Sequence, residues 1–386
     1  MFLKLLNKIA IFAFVSLISI KAFASNEIKV GILHSLSGTM AISETTLKDT
    51  MLMLIEDQNK KGGILGKKIV PVVVDPASNW PLFAEKAREL LTVSKVDVIF
   101  GSWTSVSRKS ALPVLEELNG LMFYPVQYEG EESSKNVFYT GAAPNQQAIP
   151  ATDYYLEELG VKKFALLGTD YVYPRTTNKI LKQYLMDKGI PESDIFVNYT
   201  PFGHSDWSKI VGDVVALGAD GKKVGVISTI NGDANIGFYK ELASAGIKAD
   251  DIPVVAFSVG EEELSGLDTK NLVGHLAAWN YFQSAESDLN TSFIKKWKDK
   301  MGEKRVTNDP MEAHVIGFEM YIKAVEKAGT TDVDEVRKAM YGIKVPNLTG
   351  GIAEMLPNHH LTKPVLIGEI TADGQFDIIS QTKEVP

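Results

Sequence analysis

Short apolar runs alternate with longer amphipathic runs along most of the chain, and this alternation restricts the fold more than any other feature. The apolar runs have the length and composition of buried strands, whereas the amphipathic runs have the period of helices packed on a sheet. Repeated β-α-β order predicts parallel sheets with helices on both faces. The predicted strands are 28–33, 68–74, 96–100, 121–124, 163–167, 194–199, 224–229 and 253–257. The predicted helices between them are 44–61, 80–93, 105–119, 146–159, 175–188, 206–217 and 233–245.

The alternation is too long for one compact core and predicts two lobes. A Gly/Pro/Asn-rich segment at 141–147 marks the first boundary. Beyond residue 275 three helical stretches and a terminal hairpin follow, so the chain must return to structure formed earlier. The predicted fold class is α/β, with two Rossmann-like lobes, mostly parallel sheets and several crossings between the lobes. One lobe is predicted from 25–143 with about 278–345, and the other from 144–277 with about 346–386.

The first 24 residues have the pattern of a cleavable secretory signal peptide. Lys4 and Lys8 precede an apolar run at 9–20, and residues 22–24 form an A-x-A cleavage site. As a helix this run covers only about 18 Å, against about 30 Å for the bilayer core, so we expect no direct membrane insertion. The chain has no cysteine, which excludes a lipid-modified N-terminus and disulfides. These features predict a protein that is exported to the periplasm without a lipid anchor.

The charge balance argues against nucleic acid and anionic membranes as partners. The whole chain has a formal net charge of -8, from 40 basic and 48 acidic residues. Removal of residues 1–24 takes away three lysines and no acid, which leaves 37 basic against 48 acidic residues and a charge of -11. An acidic surface is repelled by phosphate backbones and by anionic lipids.

The sequence lacks the usual signatures of catalysis and of cofactor or metal binding. No G-x-G-x-x-G follows the first predicted strand, and no G-x-S-x-G or H-E-x-x-H motif occurs. The lack of cysteine removes thiol nucleophiles and most structural zinc sites. The adjacent His359 and His360 would point to opposite faces of a strand. We therefore expect no catalytic residue, no cofactor and no metal ion, and a protein that binds its ligand without turnover.

Side chains suited to ligand contact follow the predicted strands of both lobes. The carboxyl ends of parallel strands meet at one edge of a sheet, so these segments should converge on one cleft. Their aromatic faces, hydroxyls and amides suit a small polar molecule. Glu261 follows the strand at 253–257 by a short loop and also falls at this edge. The candidate ligand-binding residues are Trp103, Ser105, Tyr124, Gln127, Tyr171, Tyr173, Asp233 and Glu261.

Motifs along nearly all of the mature chain resemble the periplasmic binding proteins of the branched-chain amino acid type that serve urea and short-chain amides. They include GSWTSVSRKSALPV, FYPVQYEGEESSKNVFYTGAAPNQQ, GTDYVYPRTTNK, NGDANIGFYK and TNDPMEAHVIGF. At Val126 and Gln127 the chain departs from an amide sensor of this group, which has Thr-Pro there, and looks like the urea receptors. The resemblance implies a type I, or Venus flytrap, fold. It also implies ligand contacts at Trp103, Ser105, Tyr124, Tyr171 and Tyr173.

The function that the resemblance implies is capture of urea by lobe closure and delivery to an inner-membrane ABC permease. Urea is planar and neutral, and its buried N–H groups and carbonyl oxygen would each need a partner. Asp233 and Glu261 are the charged acceptors expected at the cleft. Ser105, with its backbone N–H at a helix start, is expected to bind the carbonyl oxygen. Trp103 and Tyr124 are expected to cover the planar faces.

Three alternatives stay open. In the first alternative, the ligand is a short-chain amide, such as acetamide or formamide, or a branched-chain amino acid. An amino acid would need paired partners for its carboxylate and its ammonium. In the second alternative, the protein is a ligand-sensing regulator of the same fold. The predicted signal peptide argues against this, because a cytoplasmic regulator has no use for one. An amide hydrolase is the third, and it lacks a nucleophile–base motif in this sequence.

Overall fold

The computed structural model describes residues 26–386, and the predicted signal peptide at 1–24 lies outside the described residues. The predicted α/β class is confirmed. The strands are β1 Glu27–Leu33, β2 Lys68–Val74, β3 Val98–Gly101, β4 Met122–Tyr124, β5 Val137–Tyr139, β6 Lys163–Thr169, β7 Ile195–Thr200, β8 Val224–Thr229, β9 Val254–Ala256, β10 Leu276–Trp279, β11 Lys344–Pro346, β12 Ile352–Glu354, β13 Leu366–Ile370 and β14 Phe376–Gln381. The α-helices are α1 Ala41–Lys60, α2 Trp80–Glu89, α3 Ser105–Glu117, α4 Ala148–Glu157, α5 Val172–Asp187, α6 Ser208–Leu217, α7 Ala234–Ser244, α8 Glu261–Leu264, α9 Asp288–Met301, α10 Asp309–Ala328 and α11 Val333–Met340.

The first sheet has five parallel strands in the order β2-β1-β3-β4-β5. Strands β3, β4 and β5 are short and apolar, and every residue in them is buried, as expected for parallel strands covered on both faces. Phe100 of β3 stacks on Phe123 of β4 with ring centroids 4.9 Å apart. Phe318 and Tyr321 of α10 meet Phe100 edge-on, so a helix from late in the chain covers one face of this sheet.

The second sheet has seven strands in the order β14-β13-β10-β9-β8-β6-β7. Strands β6 to β10 pair in parallel, whereas β13 pairs antiparallel with both β10 and β14. The hairpin predicted at the end of the chain is therefore the edge of this sheet. A separate two-stranded ribbon is formed by β11 and β12.

One buried side chain joins the three segments that cross between the sheets. The Asn280 side-chain amide donates to the carbonyl oxygens of Gln146 and Pro364 at 2.9 and 2.7 Å. The Asn280 backbone N–H donates to Asp309 Oδ2 at 2.8 Å. The crossings after β5, after β10 and before β13 therefore meet at one point, which is the natural pivot for movement of the lobes.

The division into lobes stays a prediction, and the structure gives reason to adjust its last boundary. Ala353, Met355 and Leu361 pack in the same apolar cluster as Ile28 of β1. Residues from β13 onward pack with the second sheet. We therefore propose that the chain leaves the first lobe near residue 362 instead of near 346. Among the described residues no helix has both the length and the apolar character needed to cross a bilayer.

The aromatic stack between β3 and β4 offers a test of the first core. Phe123→Ala removes a fully buried ring and leaves a cavity, so we expect a loss of about 3–5 kcal/mol in the free energy of unfolding. Guanidinium unfolding followed by circular dichroism measures it. Val93→Ala is the control, because Val93 is 75% exposed and its truncation should cost under about 0.5 kcal/mol.

Candidate functional site

The loop after β3 carries the first group of predicted site residues. Gly101 ends the strand with φ 149°, and a β-carbon there would lie 2.1 Å from the Leu33 carbonyl oxygen, so no larger residue fits. Helix α3 then starts at Ser105, capped by Thr104, whose hydroxyl accepts from the Ser107 N–H at 3.2 Å. Trp103 lies between the strand and this cap with only 2% of its surface exposed. The strand end and the cap thus hold Trp103 and Ser105 at the carboxyl edge of the sheet.

Tyr124 ends the neighbouring strand and packs against the same loop. Its hydroxyl donates to the Trp103 carbonyl oxygen, and its ring lies under the guanidinium of Arg108, 4.4 Å from the ring centroid. Ser105 Oγ donates to Glu129 Oε2 at 2.5 Å. The segments that follow β3 and β4 thus form one buried cluster, to which Tyr124, Arg108, Ser105 and Glu129 contribute their side chains. Burial raises the pKa of Tyr124, so its hydroxyl keeps its proton.

Arg108 is the buried cation of this edge. It binds Glu132 through Nε at 2.7 Å, and its Nη2 lies 3.4 Å from Glu129 Oε1. Burial raises the pKa of Glu132, but the Arg108 charge and hydrogen bonds from Arg108, Lys109 and Tyr139 outweigh it and lower this pKa to about 2. We name Arg108, Glu129 and Glu132 the arginine cluster.

The second lobe contributes aromatic and amide groups from its own strand ends. Tyr171 and Tyr173 follow β6, and their ring centroids are 6.2 Å apart. Asn231 follows β8, and Ser258 follows β9. Both tyrosines are buried, and burial is the main cause of their raised pKa. Their hydroxyls therefore stay protonated and can donate or accept a hydrogen bond.

The two lobes touch directly around these residues. Trp103 Nε1 donates to Asn231 Oδ1 at 3.2 Å. The Gln127 side-chain amide donates to the Phe257 carbonyl oxygen at 2.6 Å and to Ser258 Oγ at 2.7 Å. The cleft is therefore closed, with side chains of the first lobe bonded to strand ends of the second.

Two buried polar atoms at this interface lack a hydrogen-bond partner. They are Gln127 Oε1 and the Tyr173 hydroxyl. No group within residues 26–386 lies in hydrogen-bonding geometry to the Tyr173 hydroxyl. Burial raises the pKa of this hydroxyl, and the nearby Gln127 and Ser258 side chains lower it by a smaller amount. Buried polar atoms are rarely left unpaired, so one acceptor and one hydroxyl are available here to a polar ligand.

Six of the eight predicted site residues come together, and Asp233 and Glu261 do not join them. Asp233 is exposed, and its backbone N–H bonds to the Thr39 carbonyl oxygen across the cleft at 3.4 Å. Glu261 is buried, but its Oε1 accepts from the Gln283 N–H at 2.6 Å, in the segment after β10. Its neighbour Glu263 reaches the other lobe instead, where Ser43 Oγ donates to it at 2.7 Å.

Sequence reasoning did not single out Arg108, Glu129, Asn231 or Ser258. Arg108 and Glu129 stood in motifs that were recognised, but charged residues after a strand are most often solvated. Asn231 lies in the recognised motif NGDANIGFYK, in which Asp233, two residues along, is the predicted contact because it is a charged acceptor. No group of three or more His, Asp or Glu side chains within 26–386 is arranged to hold a metal ion.

Comparison with known proteins gives consistent results. A family model described as a periplasmic binding protein domain matches residues 28–385. The Leu/Ile/Val-binding protein homolog 7 of Brucella melitensis is 25% identical over 343 residues, which cover 83% of this chain and 82% of that protein. A solute binding protein of an ABC transporter from Rhodopseudomonas palustris HaA2, in complex with p-hydroxybenzoic acid, superimposes with a TM-score of 0.80 at 21% identity, covering 93% and 98% of the two chains. A leucine binding protein from Thermotoga maritima gives a TM-score of 0.76 at 16% identity, covering 92% and 99%. The predicted binding-protein fold is thereby confirmed.

Removal of the buried cation tests the arginine cluster. Arg108→Ala removes the buried cation between Glu129 and Glu132 and leaves only the partly exposed Lys109 beside them, so it should lower the free energy of unfolding by about 3–5 kcal/mol. The control is Arg88→Ala. Arg88 and its partner Glu117 are 46% and 59% exposed, so that loss should stay below about 1 kcal/mol. Equal losses in the two variants would contradict the structural role of Arg108.

The buried Glu261 predicts a pH dependence. Burial raises its pKa from 4.5 to about 8, so the folded protein keeps a proton that the unfolded chain releases. The stability contributed by the protonated group is therefore lost as pH rises between these two values. Glu261→Gln, which cannot ionise, should melt at a higher temperature than the wild type at pH 8 and at a similar temperature at pH 4.5. Glu286→Gln, at an exposed position, is the control, and a Glu261→Gln difference that does not change with pH would contradict the prediction.

Proposed function

The chain belongs to the periplasmic binding protein family, and from this premise we propose that it is an extracytoplasmic receptor that closes around urea and delivers it to an inner-membrane ABC permease. The prediction of a binding protein instead of an enzyme is confirmed by the family. The signal-like segment at 1–24 supports action in the periplasm.

The observation that carries the proposal is the closeness of the two lobes at the predicted site. Trp103 and Gln127 already bond to Asn231 and Ser258 on the other lobe. Large aromatic side chains fill the space on both sides of these contacts. A ligand held here must therefore be small, and it must be polar to pair with the buried Gln127 amide oxygen and the Tyr173 hydroxyl, which lack partners. Urea meets both conditions.

The charges at the site favour a neutral ligand over a carboxylate. The relatives named for leucine, isoleucine and valine, and the structure with p-hydroxybenzoic acid, point to ligands that carry a carboxylate. Such a ligand needs a cation or several donors. Here the buried Arg108 is already held by Glu132 and lies beside Glu129. An amino acid would also need an acceptor for its ammonium, and Glu261 is engaged by the Gln283 backbone.

In the proposed complex the planar ligand lies between Trp103 and Tyr124 on one lobe and Tyr171 and Tyr173 on the other. Gln127 Oε1 accepts a ligand N–H, and the Tyr173 hydroxyl pairs with a second polar group. Because the ligand bonds to both lobes, it binds the closed form more tightly than the open form and shifts the population toward closure. The closed form is the one that a permease would recognise.

Calorimetric titration of the protein from Ser25 onward tests the proposal. Urea should bind with a Kd of about 1 µM, equivalent to about -8 kcal/mol, and leucine should give no heat. Binding of acetamide alone would keep the amide class and replace urea. Binding of leucine alone would refute the proposal that the site selects a ligand without a carboxylate.

The Tyr173 hydroxyl locates the site. Tyr173→Phe removes a buried polar group that would pair with the ligand, so urea affinity should fall about tenfold. Tyr184→Phe is a matched control in the same helix, because its hydroxyl bonds to Asp153 at 2.6 Å, away from the cleft. A Tyr173→Phe variant that binds urea as tightly as the control would remove Tyr173 from the site.

A further inference from the structure

Glu129 lies inside the proposed urea site, although it is a charged residue. Only 2% of its surface is exposed. Its Oε2 accepts the Ser105 hydroxyl at 2.5 Å, which joins it to one of the residues expected to contact the ligand. The electrostatic effect of its charge also extends to two tyrosines of the other lobe. Burial is the first cause of the raised pKa of Tyr171 and Tyr173, and the nearby Glu129 charge raises both further.

The bond to Glu129 decides what Ser105 can do. A hydroxyl has one proton, and an ionised carboxylate only accepts, so the Ser105 proton is committed to Glu129. The same oxygen accepts from Arg108 Nη1 at 3.3 Å. The expectation that Ser105 binds a ligand carbonyl can then hold only for its backbone N–H. This edge of the site therefore presents acceptors more than donors.

Glu129 keeps acceptor capacity that its neighbour Glu132 does not. Glu132 is bound at 2.7 Å by both Arg108 and Lys109 and at 2.8 Å by the Tyr139 hydroxyl. The same two cations lie farther from Glu129, at 3.4 and 3.6 Å. A carboxylate offers about four lone-pair positions, and one short hydrogen bond leaves several of them open.

We propose that Glu129 is the residue that sets ligand specificity, by accepting ligand N–H groups and by repelling ligands that carry a carboxylate. Arg108 is a positioning residue in this scheme, because it orients Glu129 and Ser105 without reaching the ligand. The inference rests on the proposed function and deepens it: the class of ligand is a small, neutral, planar molecule with at least one NH₂ group. It also explains how a site built on a fold shared with carboxylate-binding proteins can exclude carboxylates.

The test compares urea, acetamide and acetate on the wild type and on Glu129→Gln, by calorimetry and by thermal shift. Glutamine keeps the size of glutamate but loses the charge and one acceptor oxygen. Urea affinity should fall about ten- to a hundredfold, the range expected for loss of a charged hydrogen bond. Acetate, which should not bind the wild type, should gain affinity relative to acetamide. A purely structural role for Glu129 would not change this preference.

Glu131→Gln is the control, since it makes the same change two residues along the same segment, at an exposed position outside the arginine cluster. It should change urea affinity less than about threefold, as expected for a surface substitution. If Glu129→Gln does not fold, Glu129→Asp keeps the charge and withdraws the carboxylate by one methylene. Its urea affinity should still fall, and an unchanged affinity would overturn the inference.

The outcomes separate the inference from the proposed function. Wild type that binds urea, with Glu129→Gln binding it equally, would overturn the role of Glu129 and leave the urea receptor standing. Wild type that binds acetamide but not urea, with acetamide lost in Glu129→Gln, would overturn urea and support Glu129. Wild type that binds neither amide would overturn both.

Discussion

The buried guanidinium of Arg108 organises the edge of the first lobe at which the ligand is proposed to bind. It lies within 6 Å of the ring centroids of Tyr124, Tyr128 and Tyr139, and it is bonded to carboxylates. A cation out of water is tolerated only with such compensation, so every group around Arg108 is restricted in position. Ser105 and Glu129, which the inferred ligand would meet, are held in this way. The preorganisation of the site is thus an electrostatic consequence of burying one arginine.

Closure depends on a second buried polar network at the crossings. Asn280 joins the carbonyl groups of two crossing segments, and its own N–H is bound by Asp309. Burial raises the pKa of nearby Glu312 to about 7, although the buried Lys363 opposes this effect. Segments tied at one point can rotate about it more easily than they can slide. The lobes are therefore expected to move as rigid bodies, which is why contacts such as Trp103 with Asn231 can form together.

The sequence predicted the framework well because the framework follows from periodicity. Strands β2 and β8 begin and end where they were predicted, since each is a clear apolar run bounded by turn residues. The alternation of strands and helices does not reveal β5, because no helix stands between β4 and β5. It does not reveal β10 either, because only the four-residue α8 and one 3-10 turn separate β10 from β9, and because β10 is also held by pairing with β13, much farther along the chain.

The site was predicted less completely, because strand ends can be found from sequence but side-chain directions cannot. Trp103 and Tyr124 lie at neighbouring strand ends and do meet, since the Tyr124 hydroxyl donates to the Trp103 carbonyl oxygen. Glu261 also follows a strand, yet the first turn of α8 directs it to the backbone of Gln283, while Glu263 faces the other lobe. Successive residues of a helix point about 100° apart around its axis. To predict which glutamate of the EEE segment faces the cleft, one must therefore know the first residue of the helix without an error of even one position.

A carboxylate inside the proposed site for a neutral molecule would follow a physical logic. A neutral ligand gives up its water on binding, so the site must offer acceptors that are already oriented and already desolvated. The cost of keeping Glu129 dry is met within the protein, through Ser105 and the arginine cluster, before any ligand arrives. A ligand N–H then meets a charged acceptor, whereas a ligand carboxylate meets the same charge as its own. In this proposal one buried residue therefore provides both affinity for ligand N–H groups and exclusion of carboxylates.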